Sequence, residues 1–182
     1  MNLSEHRPAC ARTRRVRTLL GLAVLLAAGA ASAQYADLDR VDWAEDAPPP
    51  PPSYETSALI ELEMPRGSAI RMGIDPATLR INPDHSVVRY VVVARGPSAV
   101  NASYEGIRCS TAEYRVYARQ VQGDAWQPSS DDGWKPMLGQ SGTLVRHPLQ
   151  LARGGLCDGP AVRASVADMV RALRSGNEAL YR

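Results

Sequence analysis

Apolar residues dominate Val87–Arg95, which Arg89 interrupts, so that both faces of an extended segment would be hydrophobic over much of its length. Val88 and Tyr90 would point to one face of such a segment, and Val91 and Val93 to the other. A strand with two apolar faces is typical of the middle of a sheet. Val87–Arg95 is therefore predicted to be a central strand.

Shorter segments on both sides of this strand also have extended character. Glu113–Gln120 alternates apolar and charged positions, which predicts a strand with one face in water. Asp75-Pro76 predicts a short helical turn, and Asn82-Pro83-Asp84 predicts a turn. The other predicted strands are Ala58–Met64, Ser68–Ile74, Leu79–Asn82 and Tyr104–Cys109.

The C-terminal part has a helical pattern. Pro160 to Ser175 is predicted to be one helix, with proline in its first turn and Gly176 just past its end. Its apolar stripe consists of Val162, Val166, Met169, Val170 and Leu173. Strands followed by a packing helix predict an α+β fold, mainly an antiparallel sheet covered by a C-terminal helix.

The N-terminus has the three parts of a secretory signal peptide. Arg14, Arg15 and Arg17 precede the apolar run 19–31, which ends in Ala31-Ser-Ala33. The apolar run is shorter than the roughly 20 residues that cross a bilayer. We expect cleavage after Ala33, a periplasmic or otherwise exported location, and no membrane span in the mature chain.

The next segment is acidic and rich in proline. Residues 34–56 include five consecutive prolines, Pro48 to Pro52, which favour a stiff polyproline II spacer without backbone donors for a sheet. We expect residues 34–56 to be a disordered tether and residues 57–182 to form a single domain.

Net charge argues against one class of partner. The chain has 21 basic and 19 acidic residues, and the signal peptide removes five arginines and one glutamate. The mature part then carries 16 basic and 18 acidic residues, a net charge of −2. Such a chain lacks the concentrated positive field of nucleic-acid-binding proteins, so no nucleic-acid partner is expected.

Two cysteines remain after the signal peptide, Cys109 and Cys157. An even number in an exported protein predicts a disulfide. With His85 and His147 they have the stoichiometry of a zinc site, but the closely paired ligands of structural zinc sites are missing. The disulfide is therefore favoured, and no metal or other cofactor is expected.

The run Val87–Ala118 resembles the heart of the CNP-one-like family, a group of small exported proteins of Gram-negative bacteria. Its most specific part is Ser103-Tyr-Glu-Gly-Ile-Arg-Cys109, and Leu156-Cys157 also fits. The resemblance covers about residues 70–174 and leaves the proline run outside. It implies export and the extent of the domain, and it assigns no catalytic residue.

Candidate binding residues are polar or aromatic and lie near predicted strand ends and loops. Glu105 and Arg108 could pair with each other or receive a ligand, or they could fix a bulge beside the disulfide. Trp126 and Trp134 could stack on a sugar or a partner protein, or anchor the loop between them. The candidate set is Tyr104, Glu105, Arg108, Trp126 and Trp134.

Several functions are compatible with these features. Asp84-His85-Ser86 has the residue types of a hydrolytic triad, but strand neighbours point to opposite faces. A non-enzymatic module that binds or scaffolds an envelope protein or glycan is favoured. The alternatives are an envelope hydrolase using Glu105 or His147, and a carrier with an apolar cavity between sheet and helix.

Overall fold

The computed structural model describes residues 43–131, 133–138 and 146–180. The chain divides into Met1–Glu45 and Asp46–Arg182. All helices and strands of the described residues belong to the second unit. The predicted signal peptide, residues 1–33, lies outside the described residues, as do residues 34–42 of the predicted tether.

An antiparallel sheet forms the centre of the second unit. Its strand order is β1-β2-β4-β5-β6-β7 within the described residues, with β3 also paired to β4 and β8 to β6. The strands are β1 (Ile60–Glu61), β2 (Arg71–Ile74), β3 (Arg80–Ile81), β4 (Val87–Arg95), β5 (Val100–Arg108), β6 (Glu113–Val121), β7 (Gln127–Pro128) and β8 (Lys135–Pro136).

Helices follow the sheet in the chain. Helix α1 (His147–Leu151) continues into a π-helical turn, Ala152–Leu156, and α2 (Val166–Leu180) is the C-terminal helix. Between them a small hairpin pairs β9 (Cys157–Asp158) with β10 (Ala161–Val162). The predicted α+β fold, a mainly antiparallel sheet with a C-terminal helix, is confirmed.

Strand β4 lies inside the sheet, with the bounds predicted from its apolar run. It pairs along its whole length with β5, and its other edge is shared between β2 and β3. Where the chain crosses from β2 to β3 in the helical turn Pro76–Thr78, Thr78 Oγ1 accepts the Val91 N–H at 2.9 Å. The edge of β4 is thereby satisfied between its two partners.

The main hydrophobic core lies between one face of the sheet and the helices, and we call this face the helical face. It carries Val88, Tyr90 and Val92 of β4, which pack in one cluster with Met169 and Leu173 of α2. Gly155 allows α2 to approach closely, because a Cβ atom there would lie 2.9 Å from Ala172 Cβ. The second face has a smaller cluster of Val91, Val93, Ala102, Tyr104 and Ala118.

The start of α2 differs from the prediction. Pro160 follows Gly159 in the turn of the β9–β10 hairpin, so the helix begins later, at Val166. Ser165 provides its N-terminal cap, since Ser165 Oγ accepts the Asp168 N–H at 3.1 Å and donates to Asp168 Oδ2 at 2.7 Å. Gly176 lies within the helix rather than after it.

The folded unit also extends further towards the N-terminus than residue 57. Asp46 binds Arg89 at 2.8 Å and Asn82 at 2.9 Å, and both partners are buried in the sheet region. Tyr54 Oη donates to Gln120 at 2.7 Å, and the Glu55 N–H donates to Asp75 at 2.8 Å. These bonds hold both ends of the proline run against the sheet. They do not involve the proline nitrogens, which have no hydrogen to donate.

A disulfide joins Cys109, just after β5, to Cys157 of β9. It fastens the end of an interior strand to the hairpin that leads into α2. The predicted pairing is confirmed. Among the helices of the described residues, none combines the length and apolar character needed to cross a bilayer.

Candidate functional site

Glu105 is the one acidic side chain of β5 that points into the helical face. It pairs in register with Tyr90 of β4 and Val116 of β6, and only 2 % of its surface is exposed. Strand alternation places it there, between Ser103 and Ile107 on the same face. A buried carboxylate needs hydrogen-bond donors, and they come from two separate elements.

Tyr90 and His147 both donate to the same oxygen of Glu105. Tyr90 Oη lies 3.1 Å from Glu105 Oε2, and His147 Nε2 lies 2.7 Å from it, which places the imidazole proton on Nε2. His147 is the first residue of α1, and Pro148 follows at a position where proline favours helix initiation. The pair therefore connects the sheet to the start of this helix.

The Tyr90 phenol is fully buried. Burial raises its pKa well above the ordinary value, and the negative charge of Glu105 raises it further. The phenol is therefore protonated near neutral pH, where it donates to Glu105.

A cavity of about 360 Å³ opens over this cluster on the helical face. Its size falls within the range of small-molecule sites, and its walls are mostly apolar with a few polar groups. Glu105 and His147 lie in it, and Asn101, Ser103 and Arg119 supply further polar groups. The apolar lining consists of Ile70, Met72, Val92, Ala94, Tyr114 and Val116.

Polar groups of the cavity differ in depth. Glu105 is buried, Ser103 is half-buried, and Arg119 and Asn101 are exposed. Arg119 Nη1 donates to Ser103 Oγ at 3.3 Å, across the β5–β6 register pair. The cavity thus has an acidic inner end and a basic rim. A larger recess of about 640 Å³ shares Met72 and His147 with it.

A family model matches residues 39–174, about three quarters of the chain, and its description is the CNP1-like family. The chain belongs to the CNP1-like family. No curated protein and no solved structure matches the chain.

The CNP1-like match extends further towards the N-terminus than the predicted resemblance of residues 70–174. It includes the proline run, in agreement with the contacts of Asp46 and Tyr54. The proline segment is therefore part of the CNP1-like domain rather than a departure from it.

The structure separates the candidate residues predicted from the sequence. Tyr104 and Glu105 are strand neighbours and point to opposite faces, and Arg108 lies on the face of Tyr104. Glu105 therefore pairs with His147 rather than with Arg108. The structure therefore places Glu105 and Arg108 on different faces of the sheet.

On the second face, Tyr104 contacts Tyr117, with ring centroids 5.1 Å apart. The β5–β6 register shifts beside Tyr104 and Glu105, and Tyr117 is the residue of β6 that the shifted register skips. The central guanidinium carbons of Arg89 and Arg115 lie 5.8 and 5.3 Å from the centre of its ring. The sequence motif around Glu105 therefore lies at a β-bulge, and fixing a bulge is one of the roles predicted for it from the sequence.

The two tryptophans of the predicted set are half-buried. Trp126 packs edge-on against Tyr54, with ring centroids 6.1 Å apart, beside the cluster of the second face. Trp134 immediately precedes β8. Their location fits the anchoring interpretation better than a pair of exposed stacking rings.

Other residues considered from the sequence lie elsewhere. Asp84 and Ser86 belong to the turn before β4, where Ser86 Oγ donates to Asp84 at 2.8 Å, and His85 adopts a left-handed conformation. Cys109 and Cys157 are joined to each other, and the described residues contain no group of three His, Cys, Asp or Glu side chains arranged for a metal.

Sequence reasoning missed Tyr90, the buried donor to Glu105, and two polar residues that line the cavity, Ser103 and Arg119. Tyr90 reads as an ordinary core residue in an apolar strand, and Ser103 and Arg119 read as surface positions of their strands. The available signal was their register: Tyr90 faces Glu105, and Ser103 faces Arg119. That register follows from the pairing of β4, β5 and β6, which periodicity alone does not specify.

Proposed function

We propose that this protein is an exported, non-enzymatic binding protein of the cell envelope that holds a small ligand in the cavity over Glu105. The observation that carries the proposal is the 360 Å³ cavity with mainly apolar walls and a buried carboxylate at its inner end. Such a combination is typical of small-molecule sites, in which a few polar groups set orientation.

Export is supported by the basic and apolar pattern of residues 14–33 and by the Ala31-Ser-Ala33 ending. The Cys109–Cys157 disulfide agrees with it, since such bonds persist in oxidising compartments. N-terminal sequencing of the protein from a periplasmic fraction is expected to begin at Gln34. Recovery of the uncleaved chain in the cytoplasm would contradict the proposal.

The cavity differs from the carrier cavity predicted from the sequence. Met169 and Leu173 fill the interior beneath α2 and are buried. The open space lies instead beside His147, at the start of α1. A ligand would therefore contact the sheet and α1.

The binding proposal is tested by protein recovered from the producing cell. Native mass spectrometry is expected to detect a bound small molecule that copurifies with the protein, and thermal-shift screening of metabolites is expected to find stabilising compounds. Ala94→Leu fills the cavity and should abolish both signals. Val100→Leu, at an exposed position outside the cavity, is the matched control. Equal ligand binding by wild type and Ala94→Leu would refute the cavity as the site.

A hydrolase is the second candidate, because Glu105 and His147 are bonded at 2.7 Å and Ser103 lines the same cavity. The Ser103 hydroxyl, however, accepts from Arg119, an arrangement suited to holding a ligand rather than to activating an alcohol. Turnover of an envelope ester or amide that is lost in both His147→Gln and Ser103→Ala would favour the hydrolase over the binding protein.

A further inference from the structure

One oxygen of Glu105 is left for a ligand. Both hydrogen bonds to this carboxylate end on Oε2, from Tyr90 and His147. Among the residues that the structure describes, none donates a hydrogen bond to Oε1. Glu105 lines the cavity with only 2 % of its surface exposed, so a ligand group that bonds to this carboxylate would be shielded from bulk water.

A charged donor suits this oxygen better than a neutral one. Burying a carboxylate is costly unless it is both hydrogen-bonded and paired with an opposite charge, and a cationic donor supplies both. A protonated amine of the ligand would supply such a bond. An ionised carboxylate of the ligand could not, because it has no hydrogen to donate. The inner end of the cavity therefore selects a cation.

The rim of the cavity favours a negatively charged group of the ligand. Ser103 and Glu105 lie two residues apart on the same face, which corresponds to about 7 Å along the strand. Arg119 donates to Ser103 and is exposed at this rim. Its guanidinium would attract a carboxylate and repel a second cation. Met72, Val92 and Val116 line the cavity with apolar surface.

We propose that the ligand is an amphipathic amino-carboxylate, such as a short peptide or an ω-amino acid. Its protonated amine donates to Glu105 Oε1, and its carboxylate lies about 7 Å away beside Arg119. This inference rests on the proposed function, since it names the ligand class of the same cavity. No bond is made or broken in the process.

The probe is 6-aminohexanoate, with hexylamine and hexanoate as compounds that each keep one of its two charged ends. Titration calorimetry on the purified wild-type protein is expected to show saturable binding of 6-aminohexanoate. Hexylamine should bind more weakly, and hexanoate should bind at least about tenfold more weakly, because it lacks the charged donor. Equal affinity for hexanoate and 6-aminohexanoate would overturn the proposal.

Two variants test which residue binds the amine of the probe and which binds its carboxylate. Glu105→Gln keeps an oxygen for Tyr90 and is expected to weaken 6-aminohexanoate binding at least about tenfold, with little effect on hexanoate. Arg119→Gln should weaken hexanoate and 6-aminohexanoate and leave hexylamine unchanged. Unchanged binding in Glu105→Gln would overturn the proposal. The wild-type probe series still decides the matter if that variant does not fold.

Failure of this inference is distinguishable from failure of the proposed function. A compound without an amine that binds wild type and not Ala94→Leu, while 6-aminohexanoate does not bind, leaves the binding protein standing and overturns the amine assignment. The finding that no compound or probe binds in the cavity would overturn both.

Discussion

His147 Nε2 lies 2.7 Å from Glu105 Oε2, although 42 residues separate the two in the chain. This bond holds the start of α1 over the middle of the sheet and compensates a buried negative charge. Removing the imidazole leaves the buried carboxylate without one of its donors, and an unsatisfied buried charged group costs more than an unsatisfied neutral one. His147→Leu is expected to lower the free energy of unfolding by about 2–3 kcal/mol, as measured by urea denaturation.

The double variant Glu105→Leu/His147→Leu is the informative companion of that experiment. With both polar partners replaced by apolar groups, most of the lost stability should return. Glu105→Gln retains an acceptor for Tyr90 and should cost only about 1–2 kcal/mol. A double variant that is as unstable as the sum of the two single changes would show that the pair has no such coupling.

The sequence identified each member of this pair and not the contact between them. The sequence indicates Glu105 and His147 as candidate groups, because acids and histidines are the residue types that carry acid–base chemistry. Their distance depends on the position of α1 over β5, which is determined by the packing of Leu151 and Leu156 into the core. The residue type at each position can be read directly from the sequence, whereas this packing depends on residues that are distant in the chain.

Asp46 contributes to stability only while it is ionised. Its hydrogen bonds from Arg89 and Asn82 lower the pKa of this carboxyl below the ordinary value. A carboxyl whose pKa is lower in the folded protein stabilises the fold fully at pH values above its pKa in the unfolded chain, about 3.9. This stabilisation is lost as the pH falls through the pKa of the folded protein. Asp46→Asn is expected to cost up to about 1 kcal/mol near neutrality and almost nothing at strongly acidic pH.

Urea midpoints of wild type and Asp46→Asn at a series of pH values measure this difference. Asp124→Asn, at an exposed turn position after β6, is the matched control and should change little at any pH. A difference between wild type and Asp46→Asn that grows towards acidic pH would contradict the predicted sign.

Gly106 is required by the ring that lies over it. A Cβ atom at this position would collide with the hydroxyl end and ring of Tyr117, which also contacts the guanidinium groups of Arg89 and Arg115. Gly106→Ala is expected to destabilise the protein by about 1–3 kcal/mol, because the ring must move out of its packed position. Thermal unfolding followed by circular dichroism measures the change.

Gly96→Ala is the control for this substitution. A Cβ atom there would meet only Ala99 O, at 3.6 Å, which is ordinary contact. Tyr117→Leu in combination with Gly106→Ala should cost less than the sum of the two single changes, since the smaller side chain makes room. Equal destabilisation by Gly96→Ala and Gly106→Ala would rule out the collision as the cause.

The fold was predictable where one local signal dominated. The mainly apolar segment Val87–Arg95 predicts both the bounds and the interior position of β4. At α2 two local signals competed, Pro160 as a first-turn residue and Ser165 with Asp168 as a capping pair. Ser165 is the cap that the structure uses, because Gly159 and Pro160 form the hairpin turn beside the disulfide. Cys157 of that hairpin is bonded to Cys109, which follows β5 and is distant in the chain.

The disulfide closes a long loop and should dominate the stability of this domain. Cys109 and Cys157 are separated by 48 positions, and closing such a loop in the unfolded chain is worth about 4 kcal/mol in the chain-entropy model. Cys109→Ala/Cys157→Ala is therefore expected to lower the free energy of unfolding by about 4 kcal/mol, and reduced wild type should unfold at nearly the same urea concentration as this variant. Stability that is unchanged by reductant, with free thiols verified by alkylation, would show that the loop is constrained by packing alone. A large loss instead means that the domain reaches its full stability only where the bond can form, as in the oxidising compartment proposed for it.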